Sequence, residues 1–473
     1  MTKSKIVATL GPSSSSDDMI ETLIRAGADV FRLNMSHGER ASHRDIIRRI
    51  RAVAKRRGLD PVGILGDLCG PKIRVGGLAG GSVSLPDGGS VVIQGGDGLG
   101  DASSFSVSYG GIGKGLKKGR MVLIDDGMIE LKVVSSLPGE VVCKVVKGGL
   151  LKEHKGVNFP GMPLDLPSMT AKDLIDLTML LDEGVDYIAL SFVRRPEDVA
   201  DIKRRIKKAG HATPVIAKIE RPEAIRSIRD IIAVSDGVMV ARGDLGVEMA
   251  PELVPSLQKR IIRLCNEAGK PVITATQMLE SMIRNPRPTR AEASDVAGAV
   301  VDGTDALMLS GETAEGAYPE ASVVMMDRVA REAEAHLPER QYEHERTGSG
   351  LEAVARSACH AAGLVKARAI VCFTRTGKTA LLMSKYRPAV PIIGATPSEK
   401  TFAAMRLYYG VAPLMIKLRP DTDGMVREVE RAALERGLVK KGDQTVVTLG
   451  VPVSKLSDTN LMMLHKIGEG ASN

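Results

Sequence analysis

The sequence predicts an α/β chain: a (β/α)8 barrel of the TIM type, interrupted by an inserted β-barrel domain and followed by a doubly wound α/β domain. Three observations predict it. Eight short β-branched runs alternate with amphipathic helical segments, the pattern of parallel α/β folds. A Gly- and Val-rich block falls between the third and fourth runs. After Gly348 a fresh series of βα units begins. At 473 residues the chain exceeds what one core holds, so two or three domains are expected. The reading places the barrel at 1–71 plus 168–347, the insert at 72–167 and the last domain at 348–473.

The eight runs are Lys5 to Leu10, Asp29 to Ser36, Val62 to Leu68, Tyr187 to Val193, Pro214 to Glu220, Gly237 to Arg242, Pro271 to Gln277 and Ala306 to Gly311. Helix signals lie between them. Thr170 with Asp173 and Thr289 with Glu292 are capping boxes, Pro196 suits a first helical turn, and Gly58 and Gly210 suit helix ends. In the segment after Pro196, Val199, Ile202 and Ile206 share one face and Lys203, Arg204 and Lys207 the other, as an outer-ring helix requires. The inserted block carries hairpin signals at Pro86-Asp87-Gly88 and Asp126-Gly127. Beyond Gly348, strands are expected near Ala369 to Phe373, Val390 to Ala395, Val411 to Ile416 and Gln444 to Gly450.

Composition narrows the function classes. Hydrophobic residues at 43% and charged residues at 26% are those of a globular protein, which excludes a disordered or collagen-like chain. No stretch approaches the roughly 18 apolar residues of a membrane span, and no secretory apolar segment follows Met1, so the cytoplasm is the expected compartment. Cys69, Cys143, Cys265, Cys359 and Cys372 are scattered, with no C-x-x-C pair, and read as reduced thiols rather than a disulfide framework or a zinc site. The net charge of +8 lies wholly after Gly348. With no Trp and 3% aromatics there is little to stack on bases, so a small anion fits better than nucleic acid.

Catalytic groups of such barrels project from the C-terminal ends of several strands. Those ends hold Arg32, Asn34 and Ser36; Asp67; Lys218 and Glu220; Arg242, Gly243 and Asp244; Thr276 and Gln277; Ser310 and Glu312. One such residue alone is more often a salt bridge or a solvated cap; six converging ends favour a site. Glu220 and Asp244, on neighbouring strands, could share a magnesium ion completed by substrate oxygens and water. Lys218 and Arg32 would then neutralise a transferred phosphoryl group. Gly243 admits close backbone approach or merely breaks a strand, and His37 reads first as a turn histidine. Thr374 to Thr379 (TRTGKT), after a strand and before a helix, is either an anion cradle or a plain helix cap; it lacks the upstream Gly of a nucleotide-binding P-loop.

The segments KIVATLGPSS, FRLNMSHG, GDLCGPKIR, IAKIE, MVARGDLGVE, TATQMLESM and LMLSGETAEGAYP resemble the pyruvate kinase family in order and spacing, over nearly the whole chain. The resemblance implies an enzyme moving the phosphoryl group of phosphoenolpyruvate to ADP, giving ATP and an enolate that is protonated to pyruvate. It implies catalytic roles for Lys218, Arg32 and Thr276, and substrate binding by Arg32, Gly243, Asp244 and Thr276. Glu220 and Asp244 become ligands of magnesium, with manganese as an alternative. Arg74 and Lys155 become nucleotide-phosphate contacts, with Asn34 and His37 on the nucleotide side. The insert becomes a lid that carries Asp125 inward. Thr374, Arg375, Thr376, Gly377, Lys378 and Thr379 become an effector site for a phosphorylated ligand on a homotetramer.

One departure from the family pattern stands out. Potassium-requiring members carry Glu where this chain has Lys72, and Thr where it has Leu68. Asn34, Ser36, Asp67 and Leu68 mark the monovalent-ion pocket, and the Lys72 ammonium supplies the same unit of charge, so potassium is not expected to be required. Two other readings compete: a pyruvate-enolate lyase or aldolase on a similar barrel, which needs neither the large insert nor Arg74, and a catalytically silent binding protein, which predicts lost strand-end groups.

Overall fold

Period-two alternation builds the barrel. Ile6 and Ala8 face outward into the layer between strands and helices, while Val7 faces the barrel axis; Phe31 and Leu33 face out and Val30 in. The computed structural model, which describes residues 2–162, 166–337, 348–453 and 458–469, closes eight parallel strands into a ring. They are Lys5–Thr9, Val30–Asn34, Gly63–Asp67, Tyr187–Leu190, Val215–Ile219, Gly237–Ala241, Val272–Ala275 and Ala306–Leu309.

The strands stop earlier than the apolar runs suggest. The sixth ends at Ala241, and Arg242–Glu248 is a helix, so Gly243 and Asp244 lie in a first helical turn rather than on a strand tip. The seventh ends at Ala275, after which Thr276 and Gln277 take left-handed backbone (φ 69° and 54°). The capping boxes at Thr170 and Thr289 form, and Pro196 opens its helix. Gly58 and Gly210 take positive φ just past their helix ends.

Between the third and fourth barrel strands the chain forms a six-stranded sheet in the order Val157–Asn158, Met121–Ile124, Ile129–Leu137, Glu140–Lys147, Ser90–Gly95, Ser104–Val107. Arg74 bridges to Gly156 beside one edge, and Val75 to Val107 on the other, so one short segment closes the sheet into a small barrel with its own apolar core. Asp126-Gly127 does turn a hairpin. Pro86-Asp87-Gly88 does not: Ser82–Leu85 pairs with Gly149–Lys152 and Ser90–Gly95 with Glu140–Lys147, so this turn links two sheets.

The last domain orders its strands Val411–Met415, Ile392–Thr396, Ala369–Phe373, Gln444–Leu449, Leu461–Lys466; the first four are parallel and the last is antiparallel. The fifth strand escapes the sequence reading because LMMLHK lacks β-branched residues and leaves Met462 and Leu464 exposed at the sheet edge. This domain docks on the N-terminal face of the barrel. Lys385 and Arg387 both reach Asp305, at 2.5 and 2.9 Å, Lys5 donates to the Val411 carbonyl at 2.8 Å, and Tyr187 donates to the Ala404 carbonyl at 2.6 Å. The barrel's inward residues and the facing helices of this domain form one apolar cluster.

Candidate active site

The alternation that turns Val30, Leu65, Tyr187, Ala189 and Ile216 toward the axis carries Arg32, Asp67, Ser191, Lys218 and Glu220 inward at the opposite end. All five are buried. Burying several charges is costly unless each is paired, and here they are. Asp67 takes Arg32 at 2.7 Å on one oxygen and Lys218 at 3.3 Å on the other. Lys218 also sits 2.9 Å from Glu220 and donates to the Ser191 hydroxyl at 2.7 Å, which donates on to the Leu68 carbonyl. The second oxygen of Glu220 accepts from the Phe192 amide at 2.8 Å, and Phe192 adopts φ 55° there.

The charges shift accordingly. Burial works against the Lys218 ammonium, but Asp67 and Glu220 outweigh it and hold its pKa above the ordinary lysine value. Burial also opposes the Asp67 anion, and Lys218 and Arg32 more than reverse this, so its pKa lies below the usual range. Burial raises Glu220; Lys218 pulls it back and the Asp244 charge pushes it up again. Two carboxylates that repel one another, one buried and one partly open, suit a divalent cation, which needs only one or two protein oxygens when substrate supplies the rest. Among the described residues no group of three or more His, Cys, Asp and Glu could hold a metal by itself.

The opposite wall comes from the sixth and seventh strand ends. The Thr276 hydroxyl accepts from the Gly243 amide at 2.7 Å and donates to the Ala275 carbonyl. Arg242 turns away from the axis: it donates to the Thr276 carbonyl at 2.7 Å and pairs with Asp295 at 2.7 Å, holding the left-handed turn in place. Lys72 reaches to within 3.9 Å of Asp244 and packs on Gly156, where a Cβ would lie 2.9 Å from its Cε.

The remaining expected residues fall into three groups. Asn34, Ser36 and His37 form the loop after the second strand; Asn34 accepts from the Ser36 amide and His43 bonds the His37 carbonyl at 2.7 Å. Arg74, Lys155 and Asp125 belong to the inserted barrel, where Arg74 donates to the His154 carbonyl and Lys155 pairs with Asp125 at 2.9 Å. Burial and then Arg74, Lys72 and Arg32 lower the His37 pKa, so insert and barrel bring several cations to one mouth. Thr374 to Thr379 lie elsewhere, in the last domain. Gly377 takes φ 82° to open the helix Lys378–Lys385, and its amide donates to the Thr374 hydroxyl. Their cleft also takes in Leu449 and Gly450, at the point where the strand order reverses.

The comparisons with known proteins bear on this arrangement directly. Residues 1–323 match the family model described as pyruvate kinase, barrel domain, and residues 352–465 the one described as pyruvate kinase, alpha/beta domain. The chain belongs to the pyruvate kinase family. A pyruvate kinase of Staphylococcus saprophyticus is 46% identical over 99% of this chain and 81% of its own length, and one of Staphylococcus aureus is 46% identical over 100% and 82%. The crystal structure of a Cryptosporidium parvum pyruvate kinase superposes with a TM-score of 0.91 at 37% identity, covering 98% of this chain and 96% of that one. Within this pyruvate kinase fold the strand-end reading missed Ser191, although its place two residues past the inward Ala189 was a usable signal. It also grouped Arg242 with the converging strand ends, whereas its guanidinium turns to the Thr276 carbonyl and Asp295.

Proposed function

We infer that the site transfers the phosphoryl group of phosphoenolpyruvate to ADP, releasing pyruvate and ATP, as in the last step of glycolysis. The observation that carries this is the Lys218 ammonium, buried between Asp67 and Glu220 beside Arg32, in a chain that matches the family across both family models. An always-charged ammonium in a water-poor pocket is placed to stabilise a phosphoryl group in flight and the enolate oxygen left behind. Arg32 binds the substrate phosphate, and Gly243, Asp244 and Thr276 receive its carboxylate. Glu220 and Asp244 hold magnesium, or manganese in its place, which supplies charge neutralisation on the phosphoryl oxygens. Arg74 and Lys155 take nucleotide phosphates, with Asn34 and the neutral His37 beside them. The inserted barrel acts as a lid that excludes water, with Asp125 moving with it.

Lys72 supports activity without potassium. Its ammonium already stands in the carboxylate field of Asp244, Leu68 is buried and offers only its carbonyl, and Asp67 is fully engaged by Arg32 and Lys218. The cleft at Thr374, Arg375, Thr376, Gly377, Lys378 and Thr379 suits a phosphorylated effector acting on a homotetramer. No helix among the described residues is long and apolar enough to cross a membrane, and we place the enzyme in the cytoplasm.

The decisive experiment follows pyruvate through lactate dehydrogenase and NADH oxidation, with phosphoenolpyruvate, ADP and magnesium each omitted in turn. Turnover that needs all three supports the assignment. A chain that consumes no phosphoenolpyruvate but cleaves or condenses pyruvate-derived acids would move the assignment to the lyase reading.

A further inference from the structure

The lid returns to the barrel through Val157–Asn158, and Asn158 is buried against a residue the mechanism does not use. Its side-chain amide donates to Glu248 Oε1 at 2.8 Å. The same oxygen takes the Arg221 guanidinium at 2.5 Å, and Arg221 also donates to the Met162 carbonyl on the lid's return segment. Arg221 and Glu248 are both buried, while Glu248 Oε2 is buried with no hydrogen-bond partner. Two covalent facts give this cluster its reach. Arg221 directly follows Glu220, and Glu248 ends the helix Arg242–Glu248 whose first turn bears Asp244. On the lid side, Val157 pairs with Ile124, and the Asp125 amide donates to the Gly156 carbonyl, so Asn158 moves with the strand that leads to Asp125.

We propose that Glu248 is a positioning residue that registers the lid on the metal-binding carboxylates: Asn158 sets Glu248, and Glu248 with Arg221 sets the spacing of Asp244 and Glu220. A buried charge pair with one oxygen left unpaired is a poor way to gain stability alone. It is an effective way to make one geometry depend on another, because neither partner can shift without leaving the other uncompensated. Groups one layer behind metal ligands commonly change metal affinity by about tenfold or more when removed.

This rests on the functional reading above, but its test needs no turnover. In the full chain, Mn2+ binding is titrated by the loss of the free-ion electron spin resonance signal, and backbone hydrogen exchange is followed at the lid's return segment. Asn158→Ala is expected to weaken Mn2+ by about tenfold and to speed exchange around Val157. Asn158→Gln, which keeps an amide donor, is expected to restore most of both. Glu248→Gln, which keeps an acceptor for Asn158 but loses the negative charge that pairs with Arg221, is expected to weaken Mn2+ while leaving exchange at Val157 slow. Mn2+ affinity unchanged in Asn158→Ala and Glu248→Gln overturns the proposal. So does a loss in Asn158→Ala that only follows a lowered Tm and is not restored by Asn158→Gln. A parent chain that binds Mn2+ but makes no ATP would instead count against the functional reading.

Discussion

The Lys218 ammonium and the Glu220 carboxylate stand 2.9 Å apart, both buried, with one residue between them at the same strand end. Their spacing of two residues puts both on the inward face of that strand end, so a buried cation and a buried anion enter the barrel mouth as a pair.

Lys218→Met is the sharpest single test. It leaves Glu220 without its cation, and removing one partner of a buried pair costs about 3 kcal/mol of stability. Turnover is expected to fall by about a thousandfold. The coupled assay and a thermal melt on the same preparation check both, and a variant retaining a tenth of parental kcat would remove Lys218 from the mechanism.

Asp67 gives a pH prediction. Its folded pKa is depressed, so its contribution is fully present above the unfolded carboxylate value, about 3.9, and is lost as pH falls from there through the folded value. The stability difference between the parent and Asp67→Asn is therefore expected to be largest near neutrality and to shrink below about pH 4. Parallel urea melts at several pH values read it; a difference that grows on acidification contradicts the sign.

Lys72 predicts a cation requirement that can be written into the chain. In tetramethylammonium buffer the parent is expected to keep its activity, whereas Lys72→Glu combined with Leu68→Thr should lose about a hundredfold and recover on adding potassium. A parent that itself collapses without potassium ends this reading.

Arg242→Ala tests the support of the left-handed turn at Thr276. Losing its bonds to the Thr276 carbonyl and Asp295 should cost about 2 kcal/mol. Displacing the Thr276 hydroxyl should lower kcat/KM by about a hundredfold. Arg242→Lys, which keeps charge but not the fork, is expected to recover stability better than activity.

The loop Thr374 to Thr379 is tested with Lys378→Ala. If the cleft takes a phosphorylated ligand, sugar phosphates or AMP should shift the phosphoenolpyruvate saturation curve of the parent and leave the variant unmoved. Identical curves for both, with and without such ligands, would leave the loop as a helix cap.

Much of this was legible in the sequence because period and punctuation carry it. The eight barrel strands, the capping boxes at Thr170 and Thr289 and the inward set Arg32, Asp67, Lys218 and Glu220 follow from alternation and cap chemistry that are local. What escaped depends on contacts between distant segments. Arg242 looked like a strand-tip charge until its partners Asp295 and Thr276 were in view, and Pro86-Asp87-Gly88 looked like a hairpin because turn chemistry does not say which strands it joins. Glu248 and Asn158, ninety positions apart, carry no shared pattern at all. The exposed edge strand Leu461–Lys466 lacked the β-branched residues that mark its neighbours.

Asp305 holds Lys385 and Arg387 at the closed end of the barrel, and Ser310 stands at the open end of the same strand. Between them lie only Ala306–Leu309, paired throughout with the first strand and at Ala306 and Leu307 with the seventh. The last domain therefore grips the eighth strand at one end, and only the four residues Ala306–Leu309, with no loop among them, separate that grip from Ser310 at the other.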